Sequence, residues 1–533
     1  MRAINVKTLI LDKKLDILLI ALVIVFSFTV RYVGLMDSGI TWDEPLTIMA
    51  GMKYGHDIET LNFNSSAWTL DNEHGPVSKY IYGLSLGLLG HRTLDYQTFV
   101  ISKTVAVIMG VLSCVLVYLF CREFYDSHVA FGAAVVLALI PTFVAHSQQA
   151  AVDNPLTLFF TLTLLLFILA ARYHNKYLYA ASAVSMGLLI DTKFNGLLVI
   201  PVLVLFYWLY IYYENGTLQR TGQNKAVDKP LKDYLPIVSA IIFFSLAMLT
   251  VYIAWPWLWP DPIGHMNISL SHWTYTPIEY FMGSAQKATP IYYVAYFLVT
   301  TPVLLFVPLA FGVYRSARSK NAYKLAVLLW LIVPFAYSFS SFIQDGMRYL
   351  LMIYPAMAIL VADGLDGIAS RAGSLNMGLS KNILYAGLVA LAIMYLLYAL
   401  ISVHPYYLDY YNVLAGGPSN VQEHKLFKFG WWGEGIYDSV AYIEKNATRG
   451  TTVYVATQPN DMVRYYATSN LYTIPNASLL NETIPSQYDY IITNEYAEEY
   501  YTLRFNASDY TLVHTTSVGG APLVSVYHRK QAA

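Results

Sequence analysis

The sequence predicts a polytopic α-helical membrane protein of about eleven transmembrane helices, followed by a small external α/β domain. Three observations predict it. Of 533 residues, 56% are hydrophobic and only 13% are charged, against about 25% charged in an ordinary soluble domain. Apolar runs long enough to cross a bilayer, ~20 residues each, recur between residues 15 and 402. From His404 onward those runs stop, and turn residues and short alternating stretches take over. The boundaries drawn from this change are a membrane domain over 1–402, with a large first external loop at 36–96, and an external domain over 403–533.

The first run, Ile17 to Val30, follows Lys7, Lys13 and Lys14. It has the look of a signal peptide, but no small-residue cleavage site follows it. Arg31-Tyr32 close it like an anchored span, so it is read as the first transmembrane helix. Further runs lie at about 97–120, 128–146, 154–171, 177–191, 196–213, 235–256, 291–313, 324–342, 350–367 and 382–402. With the N-terminus in the cytoplasm, the inner segments hold 17 Lys and Arg, and the outer loops and span ends hold 8. That asymmetry agrees with the positive-inside rule and leaves the C-terminus outside. Glycosylation sequons at Asn64, Asn267, Asn446, Asn476, Asn481 and Asn506 all fall on the proposed outer side, and the one at Asn215 falls inside. In the last segment, Ile436, Val440 and Ile443 recur at helical spacing. Thr452 to Ala456, Tyr488 to Ile492 and Leu523 to Tyr527 read as short strands.

Composition excludes several classes. A net charge of −1 offers no basic surface for nucleic acid. Cys114 and Cys121 lie in or beside one span, so there is no external disulfide framework. No phosphate-binding glycine loop, dinucleotide glycine motif or zinc-type His/Cys spacing occurs.

The polar residues that interrupt this apolar chain collect at the outer ends of spans. A loop as long as 36–96 is uncommon without a job, and it is read as the polar lid of an active site at a membrane surface. It opens with Thr41-Trp42-Asp43-Glu44-Pro45 and continues through Asp71-Asn72-Glu73-His74-Gly75-Pro76. A carboxylate held there can deprotonate an acceptor hydroxyl. The same residues also suit the start of an interfacial helix, with acids at its positive end and Pro in its first turn. Asp153 opens the fourth span with Asn154-Pro155, where a helix N-terminal acid is equally natural. Lys193 interrupts the apolar flow between the fifth and sixth runs, and Arg348 precedes the tenth. Ionisable residues at that depth face a cavity or a partner, or snorkel as anchors. Two cations on the side of Asp43 suit an anionic phosphate headgroup.

Taken in order, these motifs resemble the lipid-linked-sugar glycosyltransferases of the GT-C fold, specifically the protein O-mannosyltransferase and aminoarabinose-transferase-like group. Asp43-Glu44 matches that group's first-loop acid pair. His74-Gly75-Pro76-Val77-Ser78-Lys79 resembles its His-Pro-Pro-Leu-x-Lys stretch, with Gly75 in place of the first Pro. Asp153-Asn154-Pro155-Leu156, Thr192-Lys193-Phe194-Asn195-Gly196 and Arg348-Tyr349-Leu350 resemble later elements, and the likeness covers about residues 1–435. It implies a polyprenyl- or dolichyl-phosphate sugar as donor and a glycan, protein or lipid as acceptor. Asp43 would be the base of an inverting transfer, with Glu44, His74 and Asp153 around the acceptor and sugar. Lys193 and Arg348 would hold the lipid phosphate. The donor carries its own leaving group, so no cofactor is implied, and a divalent metal is not expected.

Three rivals follow from the same residues. Trp431-Trp432-Gly433-Glu434-Gly435 is similar to the Trp-Trp-Asp-x-Gly motif of oligosaccharyltransferase catalytic subunits, but Gly433 stands where the Asp belongs. A polyprenyl-lipid flippase or transporter would show internal repeats and midplane polar breaks, and neither is found. A non-catalytic surface anchor would not need acids and cations gathered on one face.

Overall fold

A computed structural model describes residues 14–215, 236–274, 278–287, 289–340, 344–374, 379–459, 461–467, 471–475, 487–496, 506 and 508–530. The sequons at Asn476 and Asn481 and most of the inner segment 214–234 lie outside the described residues. Each of the eleven apolar runs coincides with apolar helix. Among the described residues, six helices are long and apolar enough to cross a bilayer: α1 (Leu15–Tyr32), α4 (Tyr96–Phe124), α7 (Asp153–Tyr173), and the stretches Phe194–Tyr213, Arg348–Gly373 and Lys381–Ile401. Two runs are broken. Ser127–Leu139 and Pro141–Ser147 (α5, α6) meet at 69°, and Tyr292–Thr300 meets Val303–Ala317 at 105°, which raises the number to eight if each pair is one span. The first break falls at Pro141 and the second beside Pro302, where the ring removes a backbone donor and restricts the residue before it. The remaining three runs form shorter apolar helices at Lys176–Ile190 (α8), Val238–Ala254 and Ala322–Ser338. This is an integral membrane protein by the length and composition of its helices.

The stretch 36–96, expected as an external loop, is no open loop. It folds into α2 (Glu44–Glu59) and α3 (Val77–Leu88), joined through a short 3-10 turn at Ser66–Thr69. Glycines set the distance between the two helices. A Cβ on Gly83 would lie 1.8 Å from the Gly51 carbonyl oxygen, so only bare backbone permits this approach. The expected lid is therefore a packed helical pair, and Asp43 and the His74 turn precede the N-termini of its two helices.

Beyond the last span, residues 403–435 run back over the bundle. Asn412 ties that segment down, its side-chain amide donating to the carbonyls of Leu298 and Thr301 at 2.7 and 2.6 Å. A helix at Ile436–Asn446 then buries Ile436, Val440 and Ile443, the face read from their spacing. It packs on a five-stranded sheet containing Thr451–Ala456, Leu471–Pro475, Tyr490–Asn494, Tyr510–Val518 and Ala521–Arg529. In sequence numbering the sheet order is 4-3-5-7-6, counting a separate hairpin (Ile278–Phe281 with Ser284–Lys287) as strands 1 and 2. The first three strands of the sheet pair in parallel and the last two antiparallel.

Candidate active site

A cleft of about 330 Å³ opens where α2, the hairpin, the segment before Arg348 and the 428–432 stretch converge. Asp43 is the residue preceding α2, and its carboxylate makes no capping hydrogen bond to the helix. It is the more open member of its pair: Arg348 Nη2 donates to Asp43 Oδ2 at 2.6 Å, with side-chain exposures of 6% and 36% respectively. Arg348 also holds Asp153 Oδ2 at 3.2 Å through Nε, and Asp345 Oδ2 at 3.1 Å through Nη1. One guanidinium thus spans three carboxylates, which its planar fork of donors allows and an ammonium does not. The Arg348 guanidinium also lies over the Trp432 ring, 4.6 Å from its centroid.

The ion pairs continue on both sides. Lys193 is sealed from solvent, donates to Asp153 Oδ1 at 2.6 Å and sits 3.8 Å from the Tyr349 ring centroid. On the other flank Lys428 contacts Asp345 Oδ1 at 2.6 Å and Glu279 Oε1 at 2.8 Å. Tyr292 donates its hydroxyl to Glu279 Oε2 at 2.8 Å. Burial pushes the Glu279 carboxyl up to about 7, against the opposing pull of Lys428. Burial acts on Asp345 in the same sense, but Lys428 and Arg348 outweigh it and leave that acid below its ordinary range.

The six residues singled out from the sequence divide by environment. Asp43, His74 and Arg348 line the cleft. His74 is buried, its ring edge-on to Trp273 at 5.8 Å and its Nδ1 without a hydrogen-bond partner among the described residues. Burial first, then the charges of Lys193 and Lys79, hold its imidazole well below the usual range, so it is neutral at physiological pH. Asp153 and Lys193 stand behind Arg348 as a buried pair. Glu44 has a different setting from the one its neighbour suggested. It is fully buried, accepts from Thr41 N at 2.7 Å and from Ala150 N at 2.8 Å, and pairs with Lys103 at 3.3 Å. Adjacent positions at a helix start point about 100° apart, which turns one carboxylate to the cleft and the other into the bundle. The helix-start reading of Asp-Glu-Pro is met, with Glu44 and Pro45 in the first turn of α2.

Asp345, Glu279, Lys428, Trp431 and Trp432 complete the cleft walls and were not singled out as site residues. Asp345 had a local signal, three residues before Arg348. Glu279 and Lys428 had none, since their meeting depends on how the hairpin and the post-membrane segment dock. No group of three or more His, Cys, Asp or Glu among the described residues is arranged to hold a metal ion.

Residues 73–222 match the family described as dolichyl-phosphate-mannose-protein mannosyltransferase. An uncharacterized protein of Aquifex aeolicus (strain VF5) is 23% identical over 295 residues, 55% of this chain and 52% of that protein. The chain therefore spans about half the length of the curated relative it matches. Among solved structures, the archaeal oligosaccharyltransferase AglB from Archaeoglobus fulgidus, in complex with an inhibitory peptide and a dolichol-phosphate, is similar with a TM-score of 0.52. Identity is 14%, over 91% of this chain and 70% of that one. ArnT from Cupriavidus metallidurans in the apo state gives a TM-score of 0.50 at 14% identity, over 95% of this chain and 97% of that one. The architecture shared with both is the GT-C fold.

Proposed function

We propose that this GT-C-fold chain transfers a sugar from a polyprenyl- or dolichyl-phosphate donor to an acceptor hydroxyl at the external membrane face, with inversion and with Asp43 as base. The observation that carries the reading is the Asp43–Arg348 pair, an accessible carboxylate and a buried guanidinium in one cleft. In the reaction the acceptor oxygen attacks the anomeric carbon and its proton passes to Asp43. The bond from that carbon to the phosphate oxygen breaks, and the lipid phosphate leaves with the electron pair. Arg348 stabilises the charge that grows on the leaving group. A phosphate entering the cleft displaces Asp43 from Nη2, so that donor binding and release of the base are one exchange. Asp153 and Lys193 act behind Arg348 by fixing its orientation, and neutral His74 offers a hydrogen-bonding edge to the sugar or acceptor. Glu44 is a positioning residue for the Asp43 backbone.

The family matched by residues 73–222 supports a mannosyl donor, and the dolichol-phosphate held by the Archaeoglobus protein supports the lipid carrier. In this reading the chain crosses the membrane eleven times, with its N-terminus in the cytoplasm, and Arg348 serves the leaving phosphate without a resident metal. The oligosaccharyltransferase alternative has one observation in its favour, since Trp431 and Trp432 line the cleft. It has another against it. Gly433 adopts φ +107, and a Cβ there would meet the Ile40 carbonyl oxygen at 3.0 Å, so the Asp of that motif does not fit.

The test is transfer from radiolabelled polyprenyl-phosphate mannose into membrane acceptors by the purified protein and by Asp43→Asn. Transfer lost in the variant, with donor binding retained, is the expected result. Full activity in Asp43→Asn removes the base assignment, and no transfer by the wild type from any lipid-phosphate sugar across an acceptor panel removes the reading itself.

A further inference from the structure

A second cavity is larger than the cleft. A groove of about 790 Å³ is lined by α2, α3 and residues within 65–70 and 91–94. Asp57, on the last turn of α2, lines it. That side chain is 5% exposed and, among the described residues, forms no ion pair and leaves Oδ2 without a hydrogen-bond partner. An unsatisfied buried carboxylate is costly, so its persistence at the wall of a cavity calls for a donor from outside.

The surroundings limit what that donor belongs to. Met49, Met52 and Leu70 form apolar wall, while His56, His91 and Ser65 carry hydrogen-bonding groups. Two basic residues line the groove: Arg92 is paired with Glu59 at 2.7 Å, and Lys53 is exposed to solvent. An anionic ligand would face the free Asp57 carboxylate. The histidines and acids here are not gathered into a metal-ligand set. Neutral neighbouring hydroxyls suit the site: a carboxylate accepts two at once, and the apolar strip takes the C–H face of a sugar ring.

We infer that this groove is a saccharide-binding site, separate from the cleft, with Asp57 as the acceptor of vicinal sugar hydroxyls. Fourteen residues of helix separate Asp57 from Asp43, about 21 Å at 1.5 Å per residue. The saccharide has two sources with the same chemistry. One is the extended glycan of an acceptor, a source that rests on the transferase reading. The other is a glycan on this chain's own Asn64, an exposed sequon residue beside Ser65 and Ser66 of the groove wall.

The experiment reads binding rather than turnover, so it is independent of whether the cleft transfers sugar. Saturation-transfer NMR on the full chain in detergent uses mannobiose, maltose and chitobiose as probes, with spermidine as a cationic control. Asp57→Asn is expected to weaken disaccharide binding by about 10-fold or more, as for loss of a charged acceptor. Ser66→Trp, which fills the groove from its exposed rim, abolishes it, and Asp43→Asn leaves it unchanged. Binding by wild type and by Asn64→Gln alike identifies an external saccharide. Binding only by Asn64→Gln, with a glycan mass on wild-type Asn64, identifies the chain's own glycan. Disaccharide signals that survive both Asp57→Asn and Ser66→Trp overturn the site. Spermidine binding alone, or no saccharide binding by wild type and Asn64→Gln, overturns the ligand class.

Discussion

Asp43 and Arg348, 305 positions apart in the chain, share a 2.6 Å ion pair in which the carboxylate is half-open and the guanidinium is buried. The guanidinium is held from behind by Asp153 and Asp345, so Asp43 is the one partner that can leave without uncovering a buried charge. That asymmetry makes the pair a natural exchange point between a resident carboxylate and an incoming phosphate.

Arg348→Lys is expected to fail despite keeping the charge. A lysine ammonium cannot reach Asp43, Asp153 and Asp345 together with the geometry of a planar fork. Transfer falls by about 100-fold or more, the scale of losing one preorganised donor to a developing anion. Single-turnover rates at saturating donor separate this from weaker binding. An Arg348→Lys variant of near wild-type rate would remove the requirement for a guanidinium.

Glu44→Gln tests the division of labour between neighbouring acids. The substitution leaves Lys103 buried beside a neutral amide, and breaking a buried pair costs about 3–5 kcal/mol. Thermal stability in detergent drops markedly, while residual folded protein retains transfer at a large fraction of the wild-type rate. Normal stability with lost activity would instead return Glu44 to the chemistry.

Asp71 gives a pH signature. Burial, offset in part by Lys79, pushes its carboxyl from the ordinary 3.8 up to about 6. The folded protein therefore binds more protons than the unfolded chain between these values, and stability falls as pH rises through that window and levels off above it. The contribution is at most roughly 3 kcal/mol, at 1.36 kcal/mol per unit. Melting curves of the wild type and Asp71→Asn between pH 4 and 8 should converge at the acid end, with this component of the decline absent from the variant. Identical slopes would show that Asp71 titrates as an ordinary acid.

Gly433→Asp, which would restore the acid of the similar oligosaccharyltransferase motif, is expected to destabilise the cleft wall. Trp42 N donates to Trp432 O at 3.1 Å, so strain at Gly433 is transmitted beside Asp43. Loss of transfer with a lowered melting temperature is the expected pair of readouts. A stable, active variant would reopen the alternative.

The apolar runs were legible because a bilayer demands ~20 continuous apolar residues, a demand that six of the described helices meet whole, while the two broken pairs and three shorter helices emerge only in the fold. The surface helix and three strands of the C-terminal domain were legible for the same reason, as the period of burial is written into Ile436, Val440 and Ile443. Asp43, His74, Asp153, Lys193 and Arg348 could be singled out because ionisable residues near membrane depth stand out against 56% hydrophobic composition. What each of them does could not be read so. Whether Asp43 or Glu44 faces the cleft turns on a rotation at the start of one helix. That Lys193 lies behind Asp153, and that Glu279 and Lys428 join the wall, depends on contacts between segments far apart in sequence. Sequence alone thus determined which groups must find partners in an apolar setting. Tertiary packing decided which partners they find, because electrostatic pairing acts through space and carries no period along the chain.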